Sequence, residues 1–250
     1  MASTPEPQTE PQYGTVQWEG RTIRFVVSGR ADARPVLFIH GAPGSIRSWS
    51  SYLTDPVLAD AFHLIAYDRP GYGNSAAGGP VPALSDQMEA AFAVLDAAGA
   101  SGPPLVLGHS YGGTVAARMA MADSASVREV LLLAPAIDPE NERFFFFNRP
   151  LEWRALNWLL PGPMRTANRE KVTHVAELTA MLPLWASISV PVTVIHGAQD
   201  PIVPVANGRF AAEAIRGGFV TYQELPDANH FLPWNRDDLV RGWLLERAGR

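Results

Sequence analysis

The chain has 250 residues, 47% of them hydrophobic and only 18% charged, a mixture that builds a core and excludes a disordered polyelectrolyte. The length fits one large α/β domain, and a formal charge of −5 with no Lys/Arg-rich run excludes a phosphate-backbone partner, so no nucleic acid is expected. A cysteine count of zero removes disulfides, a thiol nucleophile and thiolate-bound metals, and no apolar stretch approaches the roughly 18 to 20 residues that a membrane-spanning helix needs.

Residues 1–12 carry three prolines and no large apolar side chain after Met1, the composition of a flexible tail without an apolar signal-peptide core. That leaves the compartment open between the cytoplasm and export with the signal removed. From Tyr13 the pattern turns strand-like: Val16 and Trp18 alternate, Glu19-Gly20 offers a turn, and Ile23, Phe25 and Val27 alternate again, which reads as a hairpin. Short apolar runs follow at 36–40, 63–68, 105–108, 130–134, 192–196 and 220–224, and helical patterns at 86–98, 114–122, 206–215 and 237–248. Continuous apolar strands interleaved with helices imply a parallel sheet buried on both faces. The alternation breaks once, over residues 139–189, which is too long for an ordinary loop and must be an insertion with structure of its own. The chain therefore divides into a tail (1–12), an α/β core (13–138 and 190–250) and the insertion.

Gly108-His109-Ser110-Tyr111-Gly112 has the form G-x-S-x-G, directly after the apolar run 105–107 and before an Ala-rich helical segment. A sharp strand-to-helix turn of this kind strains the serine and projects its hydroxyl, while the glycines leave room for crossing backbones. A serine needs an imidazole to take its proton. His63 and His196 fall in strands, His174 in the insertion, and His109 beside the serine with its ring expected to point elsewhere; His40 is read as shaping the loop after its strand. His230, in a loop after the last strand, is the preferred base. The imidazole in turn needs a carboxylate to fix its tautomer. Asp200, shortly after a strand and between the serine and the histidine in the chain, is preferred over Asp138, while Asp68 is read as structural, tying its Gly-rich turn through backbone hydrogen bonds. Donors for an oxyanion are the backbone N–H groups of Ala42 and Tyr111, with Pro43 stiffening the loop without donating.

The insertion is dense in aromatic residues, with a Phe run at 144–147 and Trp153 and Trp158 beyond it. Two readings stand: these rings are the insertion's own core, or Phe146, Trp153 and Trp158 line an apolar acyl pocket. The charged residues Glu140, Glu142, Arg143, Arg149 and Glu152 are read as a solvated face.

Taken together and in this order, His40-Gly41-Ala42-Pro43-Gly44, Asp68-Arg69-Pro70-Gly71-Tyr72-Gly73-Asn74-Ser75, the Ser110 turn, Asp200 and His230 resemble the α/β-hydrolase family from about Tyr13 onward. The resemblance implies an α/β-hydrolase fold: an eight-stranded, mostly parallel sheet flanked by helices, with a short helical lid between the sixth and seventh strands. It also implies Ser110, Asp200 and His230 as nucleophile, acid and base. Relatives that open epoxides or remove halides use a carboxylate where Ser110 stands, so those chemistries are disfavoured. Proline iminopeptidase-like members share the Pro-Gly of the first motif but carry Trp after the nucleophile, where this chain has Tyr111. The expected activity is hydrolysis of small to medium acyl esters through an acyl-enzyme, with no cofactor and no metal. A lactonase, amidase or perhydrolase on the same triad, or a ligand receptor on the same scaffold, are the alternatives.

Overall fold

The computed structural model describes residues 8–143, 148, 150–152, 160–216 and 219–249. Strands β1 (Gln8–Trp18) and β2 (Arg21–Gly29) form the expected hairpin, turning through Glu19 and Gly20, both at positive φ (46° and 70°), as a tight two-residue hairpin turn requires. Six more strands follow: β3 (Arg34–Ile39), β4 (Phe62–Tyr67), β5 (Leu105–His109), β6 (Glu129–Leu133), β7 (Val192–Gly197) and β8 (Val220–Leu225). They build one eight-stranded sheet in the order β1-β2-β4-β3-β5-β6-β7-β8. Pairing is antiparallel from β1 through β2 to β4 and parallel from there to β8.

The described helices are α1 (Ser50–Leu53), α2 (Pro56–Ala61), α3 (Leu84–Ala97), α4 (Tyr111–Ala122), α5 (Gly162–Met181), α6 (Ala206–Ala214), α7 (Leu232–Asn235) and α8 (Asp237–Leu245). Two apolar layers sandwich the sheet. Alternate residues of β3 serve opposite layers: Val36 and Phe38 pack with Trp49, Tyr52, Leu58 and Trp243, while Leu37 and Ile39 pack with Met88, Val94, Val115 and Met119. Burial on both faces is why these strands read as unbroken apolar runs.

Two elements begin earlier in the chain than their sequence patterns suggest. The tail is shorter than residues 1–12, because β1 starts at Gln8, whose backbone pairs with Gly29 across an irregularity between Gln8 and Gln12. The nine-residue β2 offers pairing along its whole length, and Pro11 is tolerated because β1 is an edge strand. Helix α4 starts at Tyr111 and not at 114, since burial against the sheet overrides the poor helix propensity of Gly112 and Gly113. The insertion between β6 and β7 contains α5 as its main described element. Phe146, Trp153 and Trp158 lie outside the described residues.

Candidate active site

Because β3, β5, β6, β7 and β8 run parallel, the loops that follow them gather at one edge of the sheet, where open α/β sheets place their sites. Ser110 is the single residue between β5 and α4, and it sits at φ 55°, ψ −122°, a conformation that costs a residue with a side chain about 1 to 3 kcal/mol. Its neighbours hold it there. Ser110 N–H donates to Leu133 O on the adjacent strand at 3.0 Å, and Ser110 O accepts from Gly113 N–H at 2.9 Å. The two motif glycines are needed for close approach: a Cβ on Gly108 would stand 2.2 Å from Gly112 O, and one on Gly112 would stand 2.3 Å from Ile39 O. Backbone cannot yield there as a flexible side chain can. Gly112→Ala is accordingly expected to lower the unfolding free energy by about 3 kcal/mol or more in a denaturant titration. A loss below about 1 kcal/mol would mean that β3 and α4 move apart freely.

Asp200 follows β7 and His230 follows β8, and the structure joins them: His230 Nδ1 lies 2.6 Å from Asp200 Oδ2, both side chains buried. The other carboxylate oxygen, Oδ1, accepts the N–H groups of Ile202 and Val203, each at 2.8 Å. His196, at the end of β7, brings Nε2 to 3.4 Å from Asp200 Oδ2. Burial pushes the Asp200 carboxyl up, but His196, His230 and the backbone donors outweigh it and hold the group well below the usual carboxylate range. It is an anion and can only accept, so His230 Nδ1 is the donor toward it, and in the neutral ring this leaves Nε2 as the accepting nitrogen. His109, beside the serine, reaches across to His230: the two rings are 4.8 Å apart and His109 Nε2 lies 2.9 Å from His230 O. Burial, with His230 nearby, pushes His109 down to about 3, so it is a neutral ring that donates to that carbonyl. Neither this tether nor the His196 contact leaves a local pattern in the sequence.

The two other aspartates have structural partners. Asp138 accepts from Glu140 N–H at 2.9 Å and from the Asn141 amide, capping the short turn at 139–141. Asp68 ties two loops by accepting from Ile46 N–H and Asn74 N–H, each at 2.8 Å, as its Gly-rich setting predicts.

Ser110, Ala42 and Tyr111 line one cavity of about 240 Å³, walled further by Pro43, Leu160, Met164, Ala167, Ile202 and Val203. Tyr111 N–H belongs to the first turn of α4 and has no carbonyl one turn back to bond, so it is a natural donor toward this space. The far wall is polar. Glu142, expected on a solvated face, is instead nearly buried, with Oε1 3.2 Å from His174 Nδ1 and paired with the Lys171 ammonium. His174 stacks on the Tyr111 ring at 4.8 Å. Burial pushes the Glu142 carboxyl up, but His174 and Lys171 outweigh it and keep the group below its usual value. Composition cannot separate a solvated charge from one that meets its partner about thirty residues on. Arg143 does stay exposed, donating to Pro201 O at 3.0 Å. Among the described residues no group of three or more His, Asp or Glu side chains is placed to share a metal ion, and no helix is long and apolar enough to cross a membrane.

The chain is similar to known proteins. The bifunctional esterase/perhydrolase DCH of Acinetobacter calcoaceticus is 26% identical over 273 residues, covering 91% of this chain and 96% of that protein. A non-heme chloroperoxidase of Burkholderia pyrrocinia is 28% identical over 260 residues, covering 87% of this chain and 92% of the other. Among solved structures, the epoxide hydrolase CorEH superposes with a TM-score of 0.79 over 95% of this chain and 98% of its own, at 18% identity, a likeness of fold alone. A sequence profile of the alpha/beta hydrolase family matches residues 36–242, and with the eight-stranded sheet and its helical flanks this places the chain in the alpha/beta hydrolase family.

Proposed function

We propose that the chain hydrolyses carboxylic esters of small to medium acyl groups through an acyl-enzyme on Ser110. The observation that carries this reading is the 2.6 Å bond between Asp200 and His230, at the sheet edge where Ser110 stands on its strained turn. Ser110 Oγ attacks the ester carbonyl carbon while His230 Nε2 takes the hydroxyl proton, and the carbonyl oxygen becomes an oxyanion held by the N–H groups of Ala42 and Tyr111. The N-terminal end of α4 adds its partial positive charge at that oxygen. Collapse of the tetrahedral intermediate breaks the C–O bond to the alcohol, which leaves with the proton from His230. Water then attacks the acyl-Ser110 carbonyl, His230 takes its proton, and the carboxylic acid departs as Ser110 is reprotonated. No step calls on a cofactor.

The insertion at 139–189 acts in this reading as the lid, because Glu142, Asn148, Leu151, Leu160 and Met164 from it line the cavity. Phe146, Trp153 and Trp158 are proposed as further ring contacts of the acyl group. A volume of about 240 Å³ is below the roughly 300 to 1,000 Å³ of pockets for drug-sized ligands, which supports short acyl chains. The test is kcat/KM for acetyl, butyryl, octanoyl and palmitoyl esters, where butyryl is expected to exceed palmitoyl; a preference for palmitoyl would contradict the reading. Ala167 lines the cavity from α5, so Ala167→Phe should lower kcat/KM for the octanoyl ester relative to the acetyl ester by about 10- to 200-fold. An unchanged ratio in the folded variant would place the acyl chain elsewhere. The likeness to an esterase/perhydrolase gives one more arm: hydrogen peroxide intercepting the acyl-enzyme would yield a peracid in the same assay.

A further inference from the structure

Arg69, just after β4, has a side chain with no solvent exposure, and it faces the equally buried Glu170 of α5 with Nη1–Oε1 at 2.7 Å. Glu170 also accepts from the Tyr72 hydroxyl at 2.6 Å and the Gln87 amide at 3.2 Å. Apolar residues of similar volume commonly stabilise a core as well as such a pair does, so stability alone does not account for it. Nη1 donates further to Gln87 Oε1 and Nη2 to Glu170 Oε2, each at 3.2 Å, and two donors turn to the loop after β3: Nε to His40 O at 2.9 Å and Nη2 to Gly41 O at 3.2 Å. The main-chain N–H of Arg69 donates to His40 Nε2 at 2.9 Å, so the His40 proton is on Nδ1, which lies 2.7 Å from Gly41 O. Burial, with the Arg69 cation beside it, pushes the His40 imidazole well below its usual range, in keeping with a neutral ring.

Gly41 O therefore receives two donors, one of them charged. That carbonyl belongs to the same planar peptide unit as the Ala42 N–H, so fixing the oxygen fixes the direction of the N–H, and drawing electrons toward the oxygen strengthens the N–H as a donor. The guanidinium also lies 4.6 Å from the centre of the Tyr111 ring, on the residue that supplies the second oxyanion donor. We infer that Arg69, held in orientation by Glu170, is a positioning residue that aims the Ala42 N–H at the oxyanion; this rests on the acyl-enzyme reading above. Because α5 carries Glu170 and also lines the acyl cavity through Met164, Ala167 and His174, the pair locks the cavity wall and the oxyanion donor into one frame.

The experiment uses the full chain, with active sites counted by fluorophosphonate labelling of Ser110. It reads kcat, KM and inhibition by an alkyl boronic acid, whose tetrahedral adduct on Ser110 puts a hydroxyl in the oxyanion position. Two variants are compared with wild type. Arg69→Lys keeps a cation beside Glu170 but loses the fork that reaches both carbonyls, and the double variant Arg69→Met with Glu170→Gln leaves no buried charge unpaired. Expected is a fall in kcat per labelled site of about 10- to 100-fold, a matching loss of boronate affinity, and a KM within about twofold of wild type. A merely structural role would lower the thermal midpoint and leave kcat per labelled site and boronate inhibition unchanged, and that result would overturn the inference. Wild-type protein that reacts with the fluorophosphonate at a residue other than Ser110 would overturn the acyl-enzyme reading itself, a distinct outcome seen before any variant is made.

Discussion

Ser110→Ala is expected to fold as the wild type does while its kcat falls by about 10³ to 10⁶. The turn at φ 55° is held by main-chain bonds to Leu133 and Gly113 and by the close approach of Gly108 and Gly112, none of which involves the hydroxyl. Alanine therefore keeps the backbone and loses only the nucleophile. The residual rate comes from the oxyanion donors and from water activated by His230, so it stays above the uncatalysed rate. The measurement is kcat on an activated butyryl ester together with the thermal midpoint. A folded alanine variant with near-normal turnover would show that another group forms the bond to the acyl carbon.

Asp200→Asn is expected to lower kcat by about 10³ to 10⁴, and the local hydrogen bonds say why. Oδ1 accepts two backbone N–H groups, from Ile202 and Val203, so the asparagine must put its carbonyl oxygen there. Its amide NH₂ then occupies the place of Oδ2, facing His230 Nδ1. Two donors cannot face each other at that distance, so the ring takes the opposite tautomer, with its proton on Nε2, and has no lone pair for the serine proton. Asp138→Asn gives the contrast. Its carboxylate caps the turn at 139–141 and is expected to affect kcat by only a few-fold while costing about 0.5 to 2 kcal/mol in stability. Exchange of the two outcomes would reassign the acid.

What the sequence showed and what it hid divide along a physical line. The inner strands β3 to β7 are apolar on both faces, so each stands out locally without knowledge of its partners, while the edge strand β8 shows itself only by alternation, with Thr221 and Gln223 exposed. The Ser110 turn is legible because close backbone approach demands glycine two residues before and two after the serine. Asp68 is legible because its bonds go to backbone in its own Gly-rich turn and in the loop after β3. Hidden were the features whose partners lie far along the chain. Glu142 looks like any surface charge until α5 brings Lys171 and His174 against it. Arg69 and Glu170 are 101 positions apart, and neither has a local pattern that announces the other. Helices α1 and α2 are too short to show a period, although Asp55-Pro56 carries the start signal of α2, with the Asp55 carboxylate accepting from Val57 and Leu58 N–H. Residues 8–12 read as tail because strand pairing along an edge leaves little mark on composition.

An acyl-enzyme on Ser110 can be trapped directly. A slowly hydrolysed butyryl ester is mixed with the full chain, quenched in acid within the first turnovers, digested and read by peptide mass spectrometry. Expected is one butyryl group on the peptide containing Ser110, absent from Ser110→Ala and accumulating far more slowly in Asp200→Asn. A butyryl group found instead on another residue of the turning-over wild type, or one that forms on Ser110 but decays more slowly than product appears, would contradict the acyl-enzyme reading.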